Sequence, residues 1–156
     1  MKASIIGASG YAGEELIRLL HGHPQVEIAY MTSERHTGKS ISSLYPHLMN
    51  IYDSELESME NVRHIAEDSD VIFIALPHGH AMKIAQTVSD LPVRIIDLGA
   101  DYRFTDTAIY EEWYHVKHTD PNADRAYGLA ELYRAQVKQA RIIGNAGCYT
   151  TASILA

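Results

Sequence analysis

The chain has 156 residues, a net charge of −7 and a single cysteine. With 46% apolar and 21% charged residues it is long and apolar enough for one domain with a real core, and extended disorder is excluded. No apolar run reaches the ~18–20 residues that span a bilayer, the N-terminus lacks the features of a secretion signal, the acidic balance excludes broad binding to nucleic acid or anionic membrane, and one cysteine gives neither a disulfide framework nor a cysteine zinc cluster.

Ala3–Ile6 reads as a first strand, and Gly7-Ala8-Ser9-Gly10-Tyr11-Ala12-Gly13 as a glycine-rich turn after it. Ala12, Leu16, Ile17, Leu19 and Leu20 mark a helix face that Gly22 and Pro24 stop. Val26–Met31 is a second strand, which completes a βαβ unit of about 30 residues. Residues 34–60 show only short elements, and Val62–Ile65 reads as a strand. Val71–Leu76 is a continuous apolar run of the kind buried on both faces of a parallel sheet. Ala81, Ile84, Ala85 and Val88 form a helical stripe, and Val93–Leu98 is the next strand. Residues 99–130 read as a long, functional loop. A helix near Glu131–Gln136, a strand at Arg141–Ile143 and a helix opening after Cys148 follow. This alternation predicts an α/β fold, a doubly wound, mostly parallel sheet with helices on both faces. Ligands in such sheets bind beyond the carboxyl ends of the strands, where the Gly7 turn, Pro77–Gly79, Asp97–Arg103 and Asn145–Cys148 should gather. A helix broken off at an apolar residue is expected of an N-terminal piece of a larger protein. On that reading, residues 1–147 form the nucleotide-binding domain and 148–156 open the helix leading to a second domain.

Gly7, Gly10 and Gly13 give G-x-x-G-x-x-G between strand and helix. Such a turn lets backbone approach a pyrophosphate, and the helix N-terminus offers free N–H groups. Dinucleotide binding is therefore expected, with Gly7, Ser9, Gly10, Tyr11, Ala12 and Gly13 as contacts. At the end of the second strand, Ser33 and Arg35, helped by Lys39, suit a 2′-phosphate and favour NADP(H). Glu34 offers the competing contact to a ribose hydroxyl. Pro77, His78 and Gly79 are expected beside the cofactor. Cys148, at the start of a helix after a glycine turn, suits a nucleophile, because helix N-termini favour the thiolate and neighbouring N–H groups can hold an oxyanion. The bland alternative is a small buried apolar side chain. Arg103 either forks a phosphate or carboxylate, or pairs on the surface with Asp101 or Asp106. His21-x-His23 and His78-x-His80 lack the further ligands a metal site needs, so no metal is expected.

These motifs together resemble the N-terminal half of the N-acetyl-γ-glutamyl-phosphate reductase family, within the semialdehyde dehydrogenase superfamily. The resemblance covers essentially all 156 residues. It rests on Gly7–Gly13, Ala75-Leu76-Pro77-His78-Gly79, Ile96–Arg103, Tyr127-Gly128-Leu129-Ala130-Glu131-Leu132 and Gly147-Cys148-Tyr149, five motifs in order. It implies a Rossmann-like domain of a cytoplasmic, homo-oligomeric enzyme that reduces an acyl phosphate with NADPH. Cys148 would attack the acyl phosphate, Arg103 would help hold a substrate anion, and Asn145 would order the nucleophile loop. The resemblance places the acid/base histidine and most substrate contacts in a second domain, so this chain by itself is expected to turn over poorly. The chain departs from the family in Ala146, Thr150 and Gly99, where the family favours proline, proline and serine. The alternatives are an aspartate-semialdehyde or aminoadipate-pathway reductase, and a non-catalytic NADP sensor.

Overall fold

The computed structural model describes residues 1–156. Six strands form one sheet in the order β2-β1-β3-β4-β6-β5. The strands are β1 (Lys2–Ile6), β2 (Glu27–Met31), β3 (Val71–Ile74), β4 (Arg94–Asp97), β5 (Arg125–Gly128) and β6 (Ile142–Asn145). Every neighbouring pair is parallel. The helices are α1 (Tyr11–His21), α2 (Ile41–Leu44), α3 (Val62–Glu67), α4 (Ala81–Thr87), α5 (Thr107–Tyr114), α6 (Ala130–Gln139) and α7 (Cys148–Leu155), with short 3-10 turns at Pro46–Leu48 and Met59–Asn61.

Alternation along the strands divides the core into two layers. Ile6, Ile72, Ile74, Ile95 and Ile142 face one side, where α3, α4 and Tyr110 of α5 bury them. Ile5 and Met31 face the other side, under Ile17 of α1 and Ile41 of α2. The first layer is the larger, and it includes the fully buried Tyr102 and Tyr110. On the second side, α6 packs against β5. The Arg94 guanidinium Nη2 sits 2.8, 2.9 and 2.7 Å from the carbonyls of Val137, Lys138 and Ala140, which satisfies the open end of α6.

Two expectations fail. The strand expected at Val62–Ile65 is the helix α3: Val62, Ile65 and Ala66 are buried together, the i, i+3, i+4 face of a helix turn. Residues 99–130 are not a loop throughout but hold α5 and the edge strand β5. α5 starts where the Asp106 carboxylate accepts from Ala108 N at 2.9 Å, a side-chain N-cap. It buries only Tyr110, and β5 buries only Ala126, so neither carries an apolar pattern strong enough to read.

The order of the strands places the site. The chain lays β2 on one side of β1 and then returns to lay β3 on the other. The switch point of the sheet is therefore the gap between the carboxyl ends of β1 and β3, where the segments after both strands must diverge.

Candidate active site

A cavity of about 520 Å³ opens at that switch point. It is lined by Gly7, Ser9 and Gly10 after β1, by Ser33–His36 after β2, by Ala75–Pro77 and His80 after β3, and by Met59. Gly7 has φ +91°, and a Cβ there would lie 2.7 Å from the carbonyl oxygen of Ala75, so only glycine lets the two crossing segments touch. Gly10 is the N-cap of α1 and brings no side-chain cap, which leaves the first N–H groups of an eleven-residue helix available. The space a Cβ on Gly10 would take is open, with nothing closer than Gly7 O at 3.8 Å. This is the cradle a pyrophosphate requires: backbone approach with the positive end of a helix behind it.

The second corner of the cavity is polar. Ser9 Oγ and Ser33 Oγ lie 2.7 Å apart, and Ser33 Oγ also accepts from His36 N at 3.2 Å. Glu34 and Arg35 line the wall with exposed side chains, so both the anion-binding and the ribose-binding alternatives remain within reach. Lys39 does not line it. His36 lines it too, and its Nδ1 is buried without a hydrogen-bond partner. An orphaned ring nitrogen in the wall, beside a serine pair and an arginine, fits a bound phosphate ester.

The other expected contacts separate into groups. Pro77 reaches the wall, whereas His78 packs its ring on Tyr114 at 5.3 Å between centroids. Gly79 N donates to Asp101 Oδ1 at 2.7 Å and is therefore not free for a ligand. Tyr11 is 89% exposed and, like Ala12, stands outside the wall. Gly13 packs α1 on the turn: a Cβ there would lie 2.6 Å from Ala8 Cα. His36, Met59 and His80 are lining residues that sequence reasoning missed. His36 sits three positions after Ser33 in the same polar loop, a signal that was present, but Met59 reaches the cavity only through tertiary folding.

Cys148 is exposed and is the first residue of α7, directly after the N-cap Gly147. Gly147 O accepts from Thr151 N at 2.9 Å and from Thr150 Oγ1 at 2.8 Å, which fixes the turn. The first N–H groups of α7 thus stand beside the sulfur without intrahelical partners. Asn145 turns its amide Nδ2 to Ala146 O at 3.3 Å. Arg103 pairs with neither Asp101 nor Asp106. Its Nε donates to Asn145 O at 2.8 Å and its Nη2 to Leu98 O at 3.3 Å, so it grips the nucleophile turn through backbone. Below it Asp97 is fully buried, with Oδ1 accepting from Gly99 N at 2.8 Å and Oδ2 unpartnered. Burial first, and the neighbouring Asp101 carboxylate second, push the Asp97 carboxyl from its ordinary 3.8 up to about 6. His21 and His78 each face a tyrosine ring, and no three His, Cys, Asp or Glu side chains converge.

The family described as semialdehyde dehydrogenase, NAD binding domain, matches residues 2–140. N-acetyl-gamma-glutamyl-phosphate reductases of Desulforamulus reducens and Geobacter sulfurreducens are each 48% identical over 157 aligned residues, covering 99% of this chain. The alignments cover 45% of those relatives, so the chain spans less than half their length. Among solved structures, aspartate semialdehyde dehydrogenase II of Vibrio cholerae superposes with a TM-score of 0.72 at 18% identity, over 99% of this chain and 44% of that one. Aspartate semialdehyde dehydrogenase of Candida albicans, solved with NADP, gives 0.68 at 20% identity, over 96% and 43%. At such identities the likeness is one of fold.

Proposed function

The chain belongs to the semialdehyde dehydrogenase NAD-binding domain family, and from that premise we propose that it is the nucleotide-binding and nucleophile-bearing part of an NADPH-dependent N-acetyl-γ-glutamyl-phosphate reductase. The observation that carries this is the placement of an uncapped α1, an open cavity and Cys148 at one edge of one parallel sheet. The 48% identity to reductases of that name supports the choice of acyl phosphate.

In this reading, the Gly7–Gly10 turn and the start of α1 hold the cofactor pyrophosphate. Ser9, Ser33, Arg35 and His36 take the 2′-phosphate. Cys148 attacks the acyl carbon of the substrate as thiolate, forming a carbon–sulfur bond. The first N–H groups of α7 hold the oxyanion until the carbon–oxygen bond to phosphate breaks and phosphate leaves. When bound, NADPH supplies the hydride that reduces the resulting thioester to the aldehyde and frees the thiolate. The unused N–H groups of Arg103 remain for a substrate anion, and Asn145 orders the turn. Residues 1–147 form the nucleotide-binding unit and 148–156 the helix entering a second one. The acid/base group and most substrate contacts belong to the further length that relatives possess. By the resemblance to that family, we place the enzyme in the cytoplasm as a homo-oligomer. No helix is long and apolar enough to cross a membrane.

Fluorescence titration with NADPH and NADH tests the cofactor reading. NADPH is expected to bind at least about tenfold more tightly, and Arg35→Ala to erase most of that difference, as loss of a charge-assisted contact should. Equal affinity for the two would remove the 2′-phosphate assignment. Intact-mass analysis after exposure to the acyl phosphate should show an N-acetylglutamyl adduct on the native protein and none on Cys148→Ser.

A further inference from the structure

The loop Leu98–Arg103 touches both halves of the site. On one side the buried Asp101 carboxylate accepts from Gly79 N at 2.7 Å and Ala81 N at 3.0 Å, at the start of α4. Those donors belong to the segment that carries Pro77 and His80 in the cavity wall. Tyr110 OH donates to the same carboxylate at 2.8 Å, and the His118 ring lies 2.8 Å from Asp101 O. On the other side Arg103 Nε holds Asn145 O at 2.8 Å. Gly144 packs directly on this loop, since a Cβ there would lie 2.2 Å from Tyr102 O and 2.8 Å from Arg103 N. A Cβ on Gly147 would lie 3.2 Å from Arg103 Nη1, so the guanidinium abuts the residue before the nucleophile.

We infer that Asp101 and Arg103 are paired positioning residues, Asp101 setting the cofactor loop and Arg103 setting the nucleophile turn, with only Tyr102 between them to keep the two in one frame. This rests on the function proposed above. The chemistry of both side chains suits the task. A buried carboxylate is tolerable because three donors converge on it, and it fixes all three in return. A guanidinium spans two carbonyls in a planar fork, which an ammonium cannot do. Misplacement of a reacting group by about 1 Å can cost on the order of a hundredfold in rate, so such ties matter.

The test uses Asp101→Asn and Arg103→Ala, each shown to be folded by circular dichroism, with two readouts: NADPH affinity by fluorescence, and the rate of Cys148 alkylation by iodoacetamide. Arg103→Ala is expected to slow alkylation about tenfold with NADPH affinity within about threefold, and added ethylguanidinium, but not ethylammonium, to restore the rate. Asp101→Asn is expected to weaken NADPH about tenfold with alkylation within about threefold. Where Asp101→Asn does not fold, Tyr110→Phe removes one of its three donors, and a loss of about threefold is expected. Unchanged alkylation in the first variant or unchanged NADPH affinity in the second removes that residue's role. Parallel loss of both readouts in both variants reduces the pair to general scaffolding and overturns the inference. Failure of the native chain to bind NADPH would instead count against the proposed function, while the alkylation experiment would still decide Arg103.

Discussion

Asp97 shows how a single side chain can set a pH response. It is wholly buried, has one oxygen without a partner, and titrates near 6 rather than at its ordinary 3.8. Between those values the folded protein holds a proton that the unfolded chain has released. Stability therefore falls as pH rises through this window, and above it the ionised carboxylate costs on the order of 3 kcal/mol. Asp97→Asn imitates the protonated form and keeps an acceptor for Gly99 N. Its stability should match the native protein near pH 4 and exceed it by about 2–3 kcal/mol at pH 8. Denaturant unfolding at both values decides the matter, and a constant difference between the two proteins across pH would refute the assignment. Residue identities were legible here without their partners. Cys148 as a candidate nucleophile could be read from its turn and helix. That Arg103 holds carbonyls instead of the aspartates near it in sequence could not, because the choice depends on where β6 lies.

At the scale of the element, β3 shows how unevenly a sheet is sealed. Ile72 is completely buried between β1 and β4 under α3 and α4. Phe73, its neighbour, faces the other side and is only partly buried. There it floors an apolar groove of about 570 Å³ with Val71, Ile96, Ile143 and Val137. Burial and not side-chain size should therefore rank the two. Ile72→Ala is expected to cost about 2–5 kcal/mol and Phe73→Ala less, although phenylalanine is larger. Chemical denaturation of the two variants checks the order, and the reverse order would mean that the groove is closed in solution. The same unevenness explains what the sequence concealed. β1, β3 and β4 are apolar runs and were legible, as were α1 and α4 with their stripes. β5 and α5 each bury one residue, and α3 is too short for its period to separate helix from strand.

At the scale of the molecule, a cavity walled by segments after β1, β2 and β3 links ligand to fold. The Gly7 turn, the Ser33–His36 loop and the Ala75–Pro77 segment meet only when the sheet is formed. A nucleotide bound there binds the folded chain alone. NADPH at a hundred times its dissociation constant should therefore stabilise by about 2.7 kcal/mol, a rise of about 5–10 °C in Tm for a chain of this size. Thermal unfolding followed by circular dichroism measures it, and an unmoved Tm at saturating NADPH would remove the cavity as the nucleotide site.

The alternation of strands and helices, the glycine turn opening α1 and the cysteine opening α7 could all be read from the order of the amino acids. Each is written in residues that are near neighbours along the chain, through periodicity, backbone freedom and helix-end chemistry. Folding of the whole sheet was needed to bring Met59 into the cavity wall, Asp101 to Gly79 across 22 residues, and Arg103 to Asn145 across 42. Those contacts depend on the order β2-β1-β3-β4-β6-β5. That order is set by which apolar faces can be buried together over the whole sheet, a global balance that no local stretch of sequence contains.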